Sequence, residues 1–172
     1  MHPSTHAAMR PDALAIVMVG SGETVSYREL EDRSNSGAQL FRSLGLQVGD
    51  SIAIWMENNA RYLEICWAAH RSGLYFTPIP AHLTAQEAAH ILADSSAKLL
   101  VTSKAIDGAV ALLREGVSTL THLKHIFSVG PTLEGVDSWE RASEGQPCLR
   151  IADEQAGQHM VLSLIHISEP TR

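Results

Sequence analysis

The sequence predicts an α/β fold, in which a parallel-rich sheet is layered with helices and preceded by a short β-hairpin. Along the 172 residues, short apolar runs alternate with amphipathic stretches of helical spacing. Several of the apolar runs show little polar alternation, which is typical of strands covered on both faces. Strands and helices that alternate in this way indicate right-handed crossovers and a parallel sheet with helices on both faces.

The hairpin and the first long helix are predicted near the start of the chain. Leu14–Val19 and Thr24–Ser26 flank a Gly-rich turn, as the two strands of a hairpin would. A helix follows directly, because Ser26 can cap it and Glu29 can reach back to the cap in a capping box. Gly45 is expected to end this helix.

The remaining elements alternate regularly. The apolar run Ser51–Met56 is predicted as a central parallel strand, and Thr84 with Glu87 is predicted to form a second capping box. After Ser51–Met56 a helix is predicted that is capped by Asn58 or Asn59, buries Leu63, Cys66 and Trp67 and ends at Gly73. The predicted strands that follow are Leu74–Ile79, Lys98–Thr102 and His125–Val129. The other predicted segments are a helix over Ala105–Arg114, a loop over Gly130–Gly135, a short helix over Ser138–Ser143 and a connecting stretch from Gly145 onward.

Composition limits the classes of function. The hydrophobic content of 45% is enough for the core of one domain of this size. The 13 basic and 19 acidic side chains give a net charge of -6 without any Lys/Arg run, so nucleic acid is not an expected partner. Cys66 and Cys148 lack the spacing of a zinc site, a redox motif or a disulfide framework. Without a signal sequence or an apolar stretch of about 20 residues, a cytoplasmic protein with no transmembrane segment is predicted.

Two kinds of weak motif are interpreted as structural. The spacings of His122 with His125 and of His2 with His6 could bring two imidazoles together. Neither pair has a carboxylate or thiolate constellation beside it, so no metal site is predicted. Gly20-Ser21-Gly22 is interpreted as a turn rather than a phosphate loop, because no helix with a Lys follows it.

The tract Thr24–Leu30 resembles the opening T-Y-x-E-L motif of AMP-forming acyl-CoA synthetases and related adenylating enzymes, with Ser26 where the family usually has Thr. Further segments follow in the family order: Gly45–Asp50, Ile54–Asn59, Ala68–Gly73, Pro78–Glu87 and Leu92–Lys98. The resemblance is good over residues 11–103 and looser over residues 105–160. No single motif is diagnostic, and the ordered set carries the resemblance.

The resemblance implies that residues 1–161 are the incomplete amino-terminal part of an AMP-binding, adenylating domain. The parent enzyme would use ATP, Mg²⁺ and CoA: a small-molecule carboxylic acid attacks the α-phosphate of ATP, and the CoA thiol then displaces AMP from the acyl-adenylate. The tract from Ile54 to Thr84 is most similar to the fatty-acyl branch, so a fatty or related acyl acid is the expected substrate. An adenylation domain of peptide synthesis and a luciferase-like enzyme are the alternatives within the family.

One binding residue, His82, follows from the resemblance. Relatives often place an Arg at the matching position after Pro-x-Asn, close to where the phosphates of CoA bind. Here the run is Pro78-Ile79-Pro80-Ala81-His82, which lacks both the Asn and the Arg, and a His is only partly charged near neutral pH. A structural role for His82 at the approach to the next helix is the alternative. Trp55, Trp67 and Phe76 could line an acyl channel, but their place on predicted buried elements favours core packing.

No catalytic residue is predicted. In the family a Gly/Ser/Thr-rich loop stabilises the phosphate charge together with Mg²⁺, and Gln158–Val161 matches the lead into that loop, but no Ser-Gly-Thr-Thr-Gly-type segment follows. Residues 162–172 resemble the translation of a transposase adapter from DNA libraries, so we interpret them as a non-native tail and expect the natural frame to continue with the loop. The 172 residues alone are expected to bind none of these cofactors and to be inactive. A non-catalytic binding or scaffold module on the same sheet is the alternative function.

Overall fold

The structure, a computed structural model, describes residues 3–115, 120–131 and 133–161. It confirms the α/β class, with a parallel sheet, helices on both of its faces and a separate antiparallel hairpin. The strands are β1 (Leu14–Val17), β2 (Thr24–Ser26), β3 (Ser51–Trp55), β4 (Tyr75–Pro78), β5 (Leu99–Ser103), β6 (His125–Val129), β7 (Asp137–Ser138) and β8 (Gln158–His159), and the helices are α1 (Pro3–Met9), α2 (Tyr27–Ser43), α3 (Ala60–Arg71), α4 (Ala85–Asp94), α5 (Asp107–Glu115) and α6 (Trp139–Glu144).

The predicted caps are present. The Glu29 carboxylate accepts a hydrogen bond from the Ser26 N–H at 2.8 Å, and the Ser26 hydroxyl accepts one from the Glu29 N–H, which completes the capping box of α2. Thr84 and Glu87 form the same box at α4. Of the two candidates for α3, Asn59 is the cap, because its side chain accepts from the backbone N–H at the second helical position.

The parallel sheet has the strand order β7-β6-β5-β3-β4-β8. Helix α3 carries the chain from β3 to β4 on one side, and α4 returns it across β3 to β5 on the other side. Successive side chains of β3 therefore enter different cores: Ile52 and Ile54 pack with α2 and α3, whereas Ala53 and Trp55 pack with α4 and α5. Every residue of β3 is buried, which explains its unalternating sequence.

The buried face of α3 differs from the prediction. Leu63 was expected to be buried but is 43% exposed, and Cys66 and Trp67 are only partly buried. The buried positions include Glu64 and Arg71, which periodicity treats as polar and therefore outward-facing. Helix α3 lies so close to α2 that a Cβ atom at Gly37 would approach the Ala68 Cβ to 2.8 Å, and the ion pair of Arg71 with Glu31 joins the two helices.

Three short elements were not predicted as such. Helix α1 begins at Pro3 within a polar segment, β7 has two residues, and β8 has two residues where only a lead into a loop was expected. A strand of two residues at a sheet edge is too short to show a hydrophobic pattern in the sequence. Its pairing is decided by the neighbouring strand. No helix among the described residues is both long enough and apolar enough to cross a membrane.

The ion pair between Asp50 and Lys98, 2.6 Å apart, joins the amino ends of β3 and β5. Burial by itself raises the pKa of Asp50, but hydrogen bonds from the Gln47 N–H and Lys98, with the charges of Lys98 and Lys124, outweigh it and hold the pKa below its usual value. A carboxyl whose pKa is lowered on folding stabilises the protein above its unfolded pKa of about 4, and this contribution is lost as the pH falls through the folded pKa.

We therefore expect Asp50→Asn to lower the free energy of unfolding by about 1 kcal/mol at pH 7, since the pair is partly exposed, and by less at pH 3. Urea denaturation of both proteins at the two pH values measures this. An equal difference at pH 7 and pH 3 would show that charge is not the source of the effect.

Candidate functional site

A cavity of about 550 Å³ lies at the carboxyl edge of the sheet, where β3, β5 and β6 end. Its volume is within the range of about 300–1,000 Å³ that is usual for small-molecule sites. Its charged and hydroxyl-bearing lining residues are Glu23, Glu57, Arg61, Ser103, Lys104 and Glu140. We call it the carboxyl-edge cavity.

The strand order makes this position a topological switch point. The helix that follows β3 covers one face of the sheet, whereas the helix that follows β5 covers the other, so a crevice opens between the two carboxyl ends. Ligands of open α/β sheets bind in such crevices. Glu57 follows β3, and Ser103, the last residue of β5, donates a hydrogen bond from its hydroxyl to the Glu57 carboxylate. Lys104 comes next, at the mouth of the cavity.

Arg61 lies on the wall that α3 contributes, and its side chain is held in place by an ion pair with Glu64. Its guanidinium donates to the Glu64 carboxylate at 2.9 Å, and the Glu64 side chain, 3% exposed, accepts from the Trp139 indole N–H at 2.9 Å. Burial alone lowers the pKa of Arg61, but Glu64, Glu140 and Glu23 outweigh it and raise the pKa above its usual value. Arg61 is therefore charged at any physiological pH.

Two of the three carboxylates of the cavity, Glu57 and Glu140, are engaged inside the fold, whereas Glu23 is exposed. Glu140 accepts from the Gly130 N–H at 2.9 Å and from the Ser138 hydroxyl at 3.0 Å, so it fixes the loop after β6. Glu57 accepts from the Asn59 side chain as well as from Ser103. Lys104 is exposed and forms no ion pair within the described part of the chain. The cavity can thus offer the ammonium of Lys104 to a polar small molecule.

His82 lies outside this cavity. It is exposed in the turn between β4 and α4, and because the strands are parallel it lies at the same edge of the sheet as the cavity. The hydrogen bonds from the Thr84 backbone and hydroxyl hold the pKa of Glu87 below its usual value, and His82 adds to that effect. The structure therefore places His82 beside the cap of α4, and its contact with CoA stays a prediction.

The histidine pairs are not brought into a metal cluster. His6 stacks on the ring of Tyr27 with centroids 4.8 Å apart, His122 is exposed and His125 is partly buried, while His2 lies outside the described residues. Across residues 3–115, 120–131 and 133–161, no three His, Cys, Asp or Glu side chains are grouped so that they could hold a metal ion.

The other predicted features have structural roles. Trp55 is fully buried in the core under α4 and α5, and its indole N–H donates to the Pro80 carbonyl at 3.1 Å. Trp67 and Phe76 are partly buried against hydrophobic clusters. Gly22, with φ of 73°, lies in the hairpin turn, as expected. Burial raises the pKa of the Cys66 thiol to about 12, which makes it a poor nucleophile.

The residues of the carboxyl-edge cavity were not identified from the sequence. Their signal was the position of charged residues within two residues of the ends of two buried strands: Glu57 after β3, and Lys104 after β5. Without the strand order, nothing indicated that these two strands are neighbours, because β4 lies between them in the chain.

Comparison with known proteins identifies the family. The sequence matches the family model of AMP-binding enzymes over residues 4–163. It is 32% identical over 148 residues to the crotonobetaine/carnitine–CoA ligase of Salmonella arizonae, a match that covers 82% of this chain and 28% of the relative. The ligase of the same name from Escherichia coli K12 is 33% identical over 140 residues, which cover 77% of this chain and 26% of the relative. The chain thus spans less than a third of the length of these relatives.

Solved structures show the same fold. The anthranilate CoA ligase AuaEII in complex with anthranoyl-AMP has a TM-score of 0.79 at 19% identity, covering 89% of this chain and 29% of that one. A fatty acyl CoA synthetase of Mycobacterium tuberculosis has a TM-score of 0.80 at 20% identity, covering 92% of this chain and 31% of that one. At these identities the likeness shows the fold, while the family model, which matches nearly the whole sequence, shows the relationship. The chain belongs to the family of AMP-binding enzymes.

Proposed function

We propose that this chain is the amino-terminal part of the adenylating domain of an ATP-dependent acyl-CoA ligase. The observation that carries the proposal is the family match over residues 4–163. In the proposed reaction a carboxylate oxygen attacks the α-phosphate of ATP and releases pyrophosphate. The CoA thiol then attacks the acyl carbon of the adenylate, and AMP leaves. Residues 1–161 contribute one layer of that domain rather than the complete catalytic site.

The sheet edge suits these cofactors. Strand β8 lies parallel to β4, so the chain that leaves β8 reaches the same carboxyl edge as His82 and the carboxyl-edge cavity. A phosphate-binding loop after β8 would hold ATP there, with Mg²⁺ sharing the phosphate charge. His82 is the described residue that we propose as a contact of a CoA phosphate, since its exposed imidazole can donate a hydrogen bond and carries a charge when protonated.

Two classes of acid are proposed as the substrate. One class is fatty or related acyl acids, which would give the enzyme a role in fatty acid metabolism. This class is supported by the similarity of the tract from Ile54 to Thr84 to the fatty-acyl branch and by the structural likeness to a fatty acyl CoA synthetase. Crotonobetaine or carnitine is supported by the names of the relatives that are 32% and 33% identical. Location in the cytoplasm stays a prediction from composition.

A chimeric ligase tests the proposal. Residues 11–160 would replace the matching segment of the Escherichia coli crotonobetaine/carnitine–CoA ligase, and AMP release would be measured with ATP, Mg²⁺, CoA and a panel of acids. We expect AMP release that depends on the acid. Within this chimera, His82→Ala should raise the KM for CoA and leave the KM for ATP unchanged. A chimera that is monomeric and melts cooperatively, but releases no AMP with any acid, would favour the non-catalytic module instead.

A further inference from the structure

Residues 146–157, which connect α6 to β8, form what we call the strap. They have almost no regular secondary structure, yet they are fixed against α2 and α3 along their length. The Gln39 side-chain amide donates to the Leu149 carbonyl at 2.8 Å, and the Arg42 guanidinium meets the Asp153 carboxylate at 2.9 Å. These contacts come from one face of α2, so the strap lies along that helix.

A buried ion network joins the strap to both helices. The Arg71 side chain, 0% exposed, lies 2.7 Å from the Glu31 carboxylate of α2 and 3.8 Å from the Glu154 carboxylate of the strap, and it donates to Asn35. Arg150 of the strap lies 3.4 Å from Glu31 and 3.7 Å from Glu154. Arg71 is fully buried and Glu31 and Glu154 are mostly so, whereas Arg150 is exposed; the attraction between Arg71 and the two carboxylates is therefore screened less than that of a surface pair.

The end of the strap is tied to the backbone of α3. The Gln155 N–H donates to the Arg71 carbonyl at 3.1 Å, and the Gly157 N–H donates to the His70 carbonyl at 2.6 Å. Both acceptors lie in the last turn of α3, where carbonyl groups lack partners within the helix. The side chain and the carbonyl of Arg71 therefore act on the same short piece of the strap.

Strand β8 depends on this attachment. It has two residues and lies at the end of the sheet beside β4, where the Gln158 N–H donates to the Leu74 carbonyl at 3.1 Å and the Met160 N–H to the Phe76 carbonyl at 2.8 Å. So short an edge strand has little stability of its own. Its position is set by the strap that precedes it.

We propose that Arg71 is a positioning residue: with Glu31 and Glu154 it latches the strap and thereby holds β8, and the chain that follows β8, at the carboxyl edge of the sheet. The last part rests on the proposed function, in which β8 leads into the ATP phosphate loop. The charged and polar groups that face Arg71 are Glu31 and Asn35 from α2, Glu154 and Arg150 from the strap, and its neighbour His70 on α3. Opening the latch frees β8 while the central strands stay paired.

Two carboxylates at the strap contacts, Glu31 and Asp153, have lowered pKa values. Burial alone would raise the pKa of Glu31, but the hydrogen bond and charge of Arg71, together with Arg150, outweigh it and hold the pKa below its usual value. The hydrogen bond from Arg42 likewise holds the pKa of Asp153 below its usual value. The stabilising contribution of the Glu31–Arg71 pair is therefore lost only as the pH falls through the lowered pKa of Glu31.

Amide hydrogen exchange of the 172-residue chain tests the proposal at single residues. The variant is Glu154→Gln, which removes the strap's carboxylate partner of Arg71, keeps the separate Arg42–Asp153 pair and leaves Arg71 paired with Glu31, so that no unpaired charge is buried. We expect the amides of Gly157 and Met160 to exchange about tenfold faster, because local opening becomes easier, while amides in the centres of β3 and β5 are unchanged.

The matched control is Glu144→Gln, since Glu144 is an exposed carboxylate at the end of α6 that makes no ion pair with any described residue. Equal acceleration in β8 and in the central strands would overturn the proposal, because the network would then contribute only to global stability. No acceleration at Gly157 and Met160 would overturn it as well. Exchange is measured without substrate, so either failure is distinguishable from failure of the chimeric ligase to release AMP.

Discussion

Replacing Gly157 by valine should detach β8 from the sheet and lower the free energy of unfolding by about 3 kcal/mol or more. A Cβ atom at this position would overlap the Leu74 carbonyl oxygen and would lie 2.8 Å from the Leu74 nitrogen and 3.1 Å from the Ala69 carbonyl oxygen. All three atoms belong to the backbone, so no side chain can move aside. The strap would have to withdraw, and the hydrogen bond from the Gly157 N–H to His70 would be lost.

Urea denaturation gives the loss of stability, and amide exchange at Met160 shows whether β8 is detached. The matched control is Gly20→Ala, because a Cβ atom at Gly20 has no neighbour within 4 Å and should change stability by less than about 0.5 kcal/mol. If the valine variant keeps the urea midpoint of the parent and a protected Met160 amide, then the close approach of the strap to β4 is not a constraint.

The second large effect is expected for Trp139→Ala, which should lower the free energy of unfolding by about 3–5 kcal/mol. Trp139 is 0% exposed, and its ring lies 5.6 Å from that of Phe41 and 6.1 Å from that of Phe127, between α2 and the sheet. Its indole N–H also donates to the buried Glu64 carboxylate at 2.9 Å. The alanine variant loses both the packing and this hydrogen bond.

Trp139→Phe separates the two contributions. It keeps most of the ring but leaves Glu64 with Arg61 as its remaining donor among the described residues, and we expect a loss of about 1–3 kcal/mol. Pairing this variant with Glu64→Ala, which removes the acceptor, in a double-mutant cycle isolates the hydrogen bond, by urea denaturation of the four proteins. A coupling energy of zero would mean that the indole stabilises the protein through packing alone. Arg61 would then be the only donor whose hydrogen bond to Glu64, among those of the described residues, contributes to stability.

Local signals in the sequence were sufficient to predict those features that depend only on residues close together in the chain. The capping boxes of Ser26 with Glu29 and of Thr84 with Glu87 each need only a side chain and a backbone N–H three residues apart, so both were predicted and both are present. The burial of β3 was also predicted, because a strand that is covered on both faces lacks the alternation of polar and apolar residues. The ordered motifs indicated the family, which the family model then confirmed over residues 4–163.

Patterns of periodicity failed where partners come from distant parts of the chain. Glu64 and Arg71 of α3 are buried although both are charged, because Trp139 is a partner of Glu64 and because Glu31 and Glu154 are partners of Arg71. Leu63 was predicted to be a core residue but is 43% exposed, because α2 packs against the other face of the helix. Burial of a charged group depends on a matching group being brought to it, and no local pattern contains that information.

The sequence by itself determined the α/β class, the caps, the central strand and the family, because these follow from hydrogen bonds and burial patterns within short stretches or from an ordered set of motifs. Only the tertiary structure decided that β3 and β5 are neighbours, which places Glu57 beside Ser103 at the carboxyl-edge cavity. It also decided that Arg71 meets the strap, because the 3.8 Å contact with Glu154 joins residues far apart in the chain. Such contacts arise from the packing of α2, α3 and the strap against one another, which no single segment specifies.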